Sequence, residues 1–135
     1  MATQFKFELV SPEEKLVSEP AFQVTIPGEE GDVGVRAGHM SLVISIRPGV
    51  VTIQRQENGA VERVFIAGGF ADIGQDHVTV LAEEAFPVAN LSADKLQQEM
   101  RDLEDELKIA KDDAETARLE SRRALVASML ASMAA

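Results

Sequence analysis

The chain has 135 residues, a formal net charge of -10 and no Cys, Trp or Tyr, a size that fits one domain or a small domain with an appendage. The acidic balance removes the cationic footprint that nucleic acid or an anionic lipid surface requires. Zero Cys excludes a disulfide framework, thiolate catalysis and Cys-ligated metal, and fits a reducing compartment.

All nine Gly, all five Pro and all six Phe lie at or before Pro87. This break predicts two architectures on one chain: strands over residues 1–87 and helix over residues 88–135. No apolar run approaches the ~20 residues that cross a bilayer. The opening Met1-Ala-Thr-Gln-Phe-Lys-Phe-Glu lacks a basic segment followed by an apolar core, so neither membrane insertion nor an export signal is expected.

From Thr3 to Val10, Phe5, Phe7 and Leu9 alternate with Lys6 and Glu8, the period-2 pattern of a half-buried strand. Ser11-Pro12-Glu13-Glu14 turns the chain. Further strands are expected at Lys15 to Ser18, Ala21 to Ile26, Ser41 to Ile46, Val50 to Gln54, Glu62 to Ile66 and His77 to Ala82. Their length and spacing suit an antiparallel sandwich or barrel, and no stretch before Pro87 carries a helical repeat for a parallel α/β crossover.

Between two of these strands Asn58-Gly59 predicts a type I′ hairpin turn, with positive φ at both residues. The Gly-rich stretch Pro27 to His39 reads as a loop between strands. It lacks G-K-[ST] and places Glu29, Glu30 and Asp32 where a phosphate would need amide donors, so nucleotide cradling is disfavoured. Either this is only a conformationally demanding loop, or its three carboxylates dock on a basic or polar partner. The adjacent glycines of Ala67-Gly68-Gly69-Phe70 read as a bulge or a close backbone approach.

In the tail Ser92 is a candidate N-cap. Leu96, Met100, Leu103 and Leu107 follow at 4, 3, 4 spacing, a narrow apolar seam. Leu119, Val126, Leu130 and Met133 mark a second segment. The spacing alone also fits one continuous rod, because Ala110, Ala114 and Ala117 bridge the two segments. Asp112, three residues before Glu115, resembles a capping box and favours an antiparallel helical hairpin turning near Lys111 to Asp113.

The two histidines, His39 and His77, stand far apart in sequence with no tight ligand spacing. Neither a catalytic set nor a metal or cofactor site is expected.

Taken in order, Phe7-Glu-Leu-Val-Ser11-Pro, Pro27-Gly-x-x-Gly31-x-x-Gly34-Val-x-x-Gly38-His39, Pro48-Gly49-Val and Ala67-Gly68-Gly69-Phe70, followed by an alanine-rich helical tail, resemble the epsilon subunit of bacterial and chloroplast F-type ATP synthases. The resemblance spans the whole chain. It implies an N-terminal β-sandwich, a C-terminal two-helix hairpin and a non-catalytic rotor subunit that joins the foot of gamma to the ring of c subunits.

By position, the resemblance assigns Glu29, Glu30, Gly31 and Asp32 to contact with the c ring, and Ser11 and His39 to contact with gamma. Short carboxylate side chains suit pairing with basic groups on the ring's polar loops. The resemblance further implies that the hairpin is a switch, able to inhibit ATP hydrolysis when extended. In that state Arg118, Arg122 and Arg123 would meet acidic surface on the alpha and beta subunits. A peripheral place on the cytoplasmic face of the bacterial inner membrane follows.

One departure bears on nucleotide. Some members bind ATP through Ile or Leu, Asp, two variable residues, Arg and Ala at the first helix. Here Leu91-Ser92-Ala93-Asp94-Lys95-Leu96 stands in that place, and Lys cannot replace a planar guanidinium at a stacked or bidentate contact. ATP binding is not expected. The competing reading, a self-associating scaffold pairing through the Leu96 to Leu107 seam, differs in partner: a second copy rather than gamma and the ring.

Overall fold

The structure, a computed structural model, describes residues 3–134 and divides into two compact units, one ending at Pro87 and one beginning at Val88. The first holds ten strands: β1 Phe5–Val10, β2 Lys15–Ala21, β3 Gln23–Gly28, β4 Gly31–Arg36, β5 Leu42–Ile46, β6 Gly49–Gln54, β7 Val61–Ile66, β8 Gly69–Ile73, β9 His77–Ala82 and β10 Ala85–Pro87. The second holds a 3-10 turn, Val88–Asn90, and two helices, α1 Ala93–Lys108 and α2 Asp113–Ala134. The antiparallel sandwich and the two-helix hairpin expected from the sequence are both present.

The strands hydrogen-bond in the order β10-β7-β6-β3-β5-β8-β9-β1-β2, with β4 paired to β3. At β3 the ladder changes layer: Gln23–Thr25 pair with β6, whereas the far end pairs with β5 through Gly28 and Ile46. The two halves close over one core. Phe5, Phe7 and Leu9 meet Val24 and Ile26 from β3, Val51 and Ile53 from β6, Ile73 from β8 and Val78 and Val80 from β9. Each large side chain taken fully out of water contributes ~1.5–3 kcal/mol, and every one of these is at most 4% exposed.

Three local features depart from the sequence reading. Residues 31–36, expected as loop, form β4 in a tight hairpin with β3; the strand is Gly-rich because Gly31 opens it at φ 135°, a conformation closed to most residues. The hairpin at Asn58-Gly59 forms, but Gln54 pairs with Val61 and leaves a six-residue connection, Arg55–Ala60. Only Asn58 has positive φ there, 62°, so the turn is not type I′. And β1 pairs with β9 in parallel, an exception to an otherwise antiparallel ladder, reached with no crossover helix.

Gly69 is where side-chain absence is structural. Its φ is 148° and an added Cβ would collide with the Leu81 carbonyl, so β8 and β9 could not keep their register. On the sandwich's outer face Glu8 accepts from Lys15 Nζ at 2.9 Å and stands 3.4 Å from Lys6 Nζ. The Lys15 contact above all, then Lys6, holds the Glu8 carboxyl below its usual range, against the opposing effect of burial.

In the second unit Ser92 caps α1, accepting from Lys95 N–H. Asp112 caps α2, its Oδ1 accepting from Glu115 N–H at 2.7 Å. The chain therefore turns between Lys108 and Asp113, and Leu103, Leu119 and Val126 bury the seam between the helices.

Gly69→Ala should lower stability by roughly 2 kcal/mol or more, read as a drop in the thermal midpoint of the intact chain. Glu8→Gln should lower stability at neutral pH and have little effect in acid. A depressed carboxyl stabilises above its unfolded pKa of about 4.3 and loses that contribution as pH falls through its folded value. Parallel pH titrations of thermal stability check the sign.

Candidate functional site

The outer face of the β5-β8-β9-β1 layer follows from register. Residues paired across strands share a face, which sets one row of Val43, Asp72, Thr79 and Glu8 beside a second of Ser45, Phe70, Leu81 and Val10. Within these rows Val43, Phe70 and Leu81 are 69%, 57% and 52% exposed, and Met40 lies exposed just before β5. Clustered large apolar side chains on a sandwich exterior mark a surface built to be covered. Sequence reasoning missed this patch, because whether Phe70 or Ala71 faces out depends on the register of β8.

Ser11 and His39 lie at opposite ends of this layer. Ser11 follows Val10, which pairs with Leu81; His39 precedes β5 at the end where Leu42 pairs with Ile73. Each is tied into its own turn. Ser11 N–H donates to the Glu14 carbonyl at 2.9 Å. His39 Nδ1 lies 2.7 Å from the Met40 carbonyl oxygen, which can only accept, so Nδ1 is the donor in this contact.

The acidic residues occupy the tip of the β3–β4 hairpin, where Gly28 pairs with Gly31 and Glu29 and Glu30 form the turn. Glu29 N–H donates to the Ser45 carbonyl at 3.0 Å, fastening the tip to β5. Arg47 fastens it a second time: one guanidinium nitrogen donates to the Gly28 carbonyl and the other to Asp32 Oδ1 at 2.6 Å.

The three carboxylates of the four-residue set Glu29, Glu30, Gly31 and Asp32 thus divide. Asp32 is engaged within the domain by Arg47, while Glu29 and Glu30 are exposed at the turn. A cleft of about 440 Å³ runs between the tip and β5, bounded by Glu29, Glu30 and Asp32 on one side and Leu42, Val43 and Ile44 on the other. Acidic tip and apolar face are therefore one continuous surface.

The three arginines of α2 also divide. Arg118 and Arg123 are exposed, but Arg122 is half-buried against α1, donating from Nε and Nη2 to Glu99 at 3.1 and 2.9 Å. Among the described residues no three His, Cys, Asp or Glu side chains are grouped to hold a metal ion, and no helix is long and apolar enough to cross a membrane. His77 lies by Asp76 and Asp72, whereas His39 contacts the Met40 carbonyl.

The described residues thus form a β-sandwich with an exposed apolar strand face beside an acidic hairpin tip. Residues 4–88 match the family described as ATP synthase, Delta/Epsilon chain, beta-sandwich domain. The chain is 42% identical over 132 residues to the ATP synthase epsilon chain of Rhodospirillum rubrum, covering 97% of each, and 41% identical over 136 residues to that of Paramagnetospirillum magneticum, covering 100% of each.

Among solved structures it is similar to a chain of the Euglena gracilis mitochondrial ATP synthase, resolved with its c-ring, at a TM-score of 0.85 and 25% identity, covering 98% of this chain and 83% of that one. It also shares the fold of a chain from the central stalk and c-ring of the Tetrahymena thermophila mitochondrial ATP synthase, at a TM-score of 0.69 and 13% identity over 96% of each. The chain belongs to the ATP synthase epsilon chain family, whose members are non-catalytic subunits of the ATP synthase complex.

Arg47→Ala should loosen the tip without unfolding the sandwich. Hydrogen exchange at the Glu29 amide should quicken several-fold, while global stability falls by less than about 1 kcal/mol, because the Asp32 pair is solvent-screened.

Proposed function

We propose that the sandwich is the coupling piece of the ATP synthase rotor. Its outer β5-β8-β9 face binds gamma and its acidic tip binds the polar loops of the c ring, so that rotation of the ring turns gamma. The observation that carries this reading is the continuity of the two surfaces. Val43, Phe70 and Leu81 form an apolar area flanked by Ser11 and His39, and the cleft beside Val43 leads directly to Glu29 and Glu30. A tip fixed to β5 by Glu29 N–H and to the strand ends by Arg47 transmits torque without flexing.

The division of chemistry fits the division of partners. An apolar face contributes affinity through buried area. A pair of carboxylates at a hairpin tip contributes orientation and charge matching to basic groups, with modest energy where water remains. In the same reading the C-terminal helices restrain ATP hydrolysis when α2 meets acidic surface on the alpha and beta subunits, using Arg118, Arg122 and Arg123. The protein then works peripherally, on the cytoplasmic face of the bacterial inner membrane, with no cofactor of its own. Its curated relatives include many bacterial epsilon chains.

Separate variants test the two surfaces. Phe70→Asp should weaken binding of purified gamma by about ten- to a hundredfold, the range set by burial of one aromatic side chain, and leave the acidic tip intact. Glu29→Lys with Glu30→Lys should leave gamma binding near normal and reduce recovery of the c ring with the assembled stalk. Calorimetry with gamma and affinity capture from membranes read the two arms. Equal loss of both partners from either variant, or loss of neither, sinks the two-surface assignment; capture of only further copies of the chain returns the scaffold reading.

A further inference from the structure

The hairpin of α1 and α2 is thinly held. Among the described residues its buried cluster is Leu103, Leu119 and Val126, with Leu96, Met100, Leu107, Ala110 and Leu130 packed around them at partial exposure; α2 also buries Met129 and Ser132. Beside this seam the fold sets the Glu99–Arg122 ion pair. Glu99 lies one turn before Leu103 on α1, and Arg122 lies between Leu119 and Val126 on α2, so both side chains project along the apolar interface rather than away from it. Both guanidinium-to-carboxylate bonds are made, at 3.1 and 2.9 Å.

We propose that Glu99 is the clasp of the hairpin: it closes α2 on α1 and, in the same contact, withholds Arg122 from any other carboxylate. The inference rests on the reading of α2 as the element that meets acidic surface, and it assigns Arg122 a state-dependent availability that Arg118 and Arg123 lack. Those two are exposed in the closed hairpin; Arg122 becomes available only when the helices part.

The exchange is chemically even. A bidentate arginine–carboxylate pair lost on opening is replaced by a like pair on an acidic partner. Opening on such a partner therefore costs mainly the small apolar seam, whereas opening in solvent also loses the pair. Placing a polar pair in an apolar seam further fixes the register of the two helices, since any slip would leave the guanidinium and carboxylate unmatched.

The experiment has two independent readouts on the full-length chain. In purified protein, Glu99→Gln should raise the exchange rates of α1 and α2 amides by about fivefold, the opening expected from one partly exposed ion pair, with amides of the sandwich unchanged. The swap Glu99→Arg with Arg122→Glu should bring those rates back. Unchanged helix exchange in Glu99→Gln, or a swap that fails to restore protection, overturns the clasp.

In the reconstituted ATP synthase, Glu99→Gln should deepen inhibition of hydrolysis, and the swap, which puts a carboxylate at position 122, should relieve it. Faster helix exchange with unaltered hydrolysis supports the clasp and refutes the inhibitory reading of α2, so the two fail separately.

Discussion

The molecule is organised by what β3 does with its two ends. Over Gln23–Thr25 it pairs with β6, and at Gly28 it pairs with β5. A strand cannot serve two layers along its whole length, because each backbone group makes its bond once. The handover falls at Pro27-Gly28. Pro27 has no N–H to offer, but its carbonyl accepts from Arg47 N–H at 2.9 Å. Gly28 lets β4 fold back, since a Cβ there would press on the Gly31 carbonyl oxygen. The acidic tip is the direct product of this corner: the chain must reverse where the layers part, and Glu29 and Glu30 are the residues left at the reversal.

That origin accounts for the bonds that fasten an exposed acidic turn. Isolated hairpin tips are mobile because few bonds hold them. Here the Ser45 carbonyl and the Arg47 guanidinium, both from the neighbouring layer, hold the two sides of the turn. Asp32 contributes by neutralising Arg47 at the surface, which leaves the projecting charge to Glu29 and Glu30.

The sequence was most legible where a single local rule sufficed. Alternation of Phe5, Phe7 and Leu9 with Lys6 and Glu8 defines β1, and Ser92 and Asp112 act as caps because a short oxygen-bearing side chain at those positions meets free helix N–H groups. It was least legible where glycine serves a strand. Gly31 suggests a loop by propensity, yet it opens β4 at positive φ, whereas the close backbone approach read at Gly68-Gly69 is made by Gly69 against the Leu81 carbonyl.

The Asn58-Gly59 turn shows the same limit: the dipeptide marked the reversal, but strand register chose a longer connection. For the surface, the carboxylates at the tip could be seen in the sequence, whereas their unequal roles could not. The partner of Asp32 is 15 residues away and that of Arg122 is 23 residues away, beyond any spacing rule. The exposed Val43, Phe70 and Leu81 were hidden for a different reason: apolar residues in strands are read as core until register shows which face they occupy.

The two units differ in what fixes them, and the difference bears on which can move. The sandwich is closed by a long-range hydrogen-bonded ladder and a core of fully buried aromatic and branched side chains, so its opening would be global. The hairpin is closed by a short apolar seam and the Glu99–Arg122 ion pair, while each helix keeps its own backbone bonds whether or not the other is present. Separating α1 from α2 therefore exposes a smaller buried cluster than opening the sandwich would. The buried cluster that joins the helices is smaller than the sandwich core, so by local stability the hairpin is the part of the chain that can open with the sandwich intact.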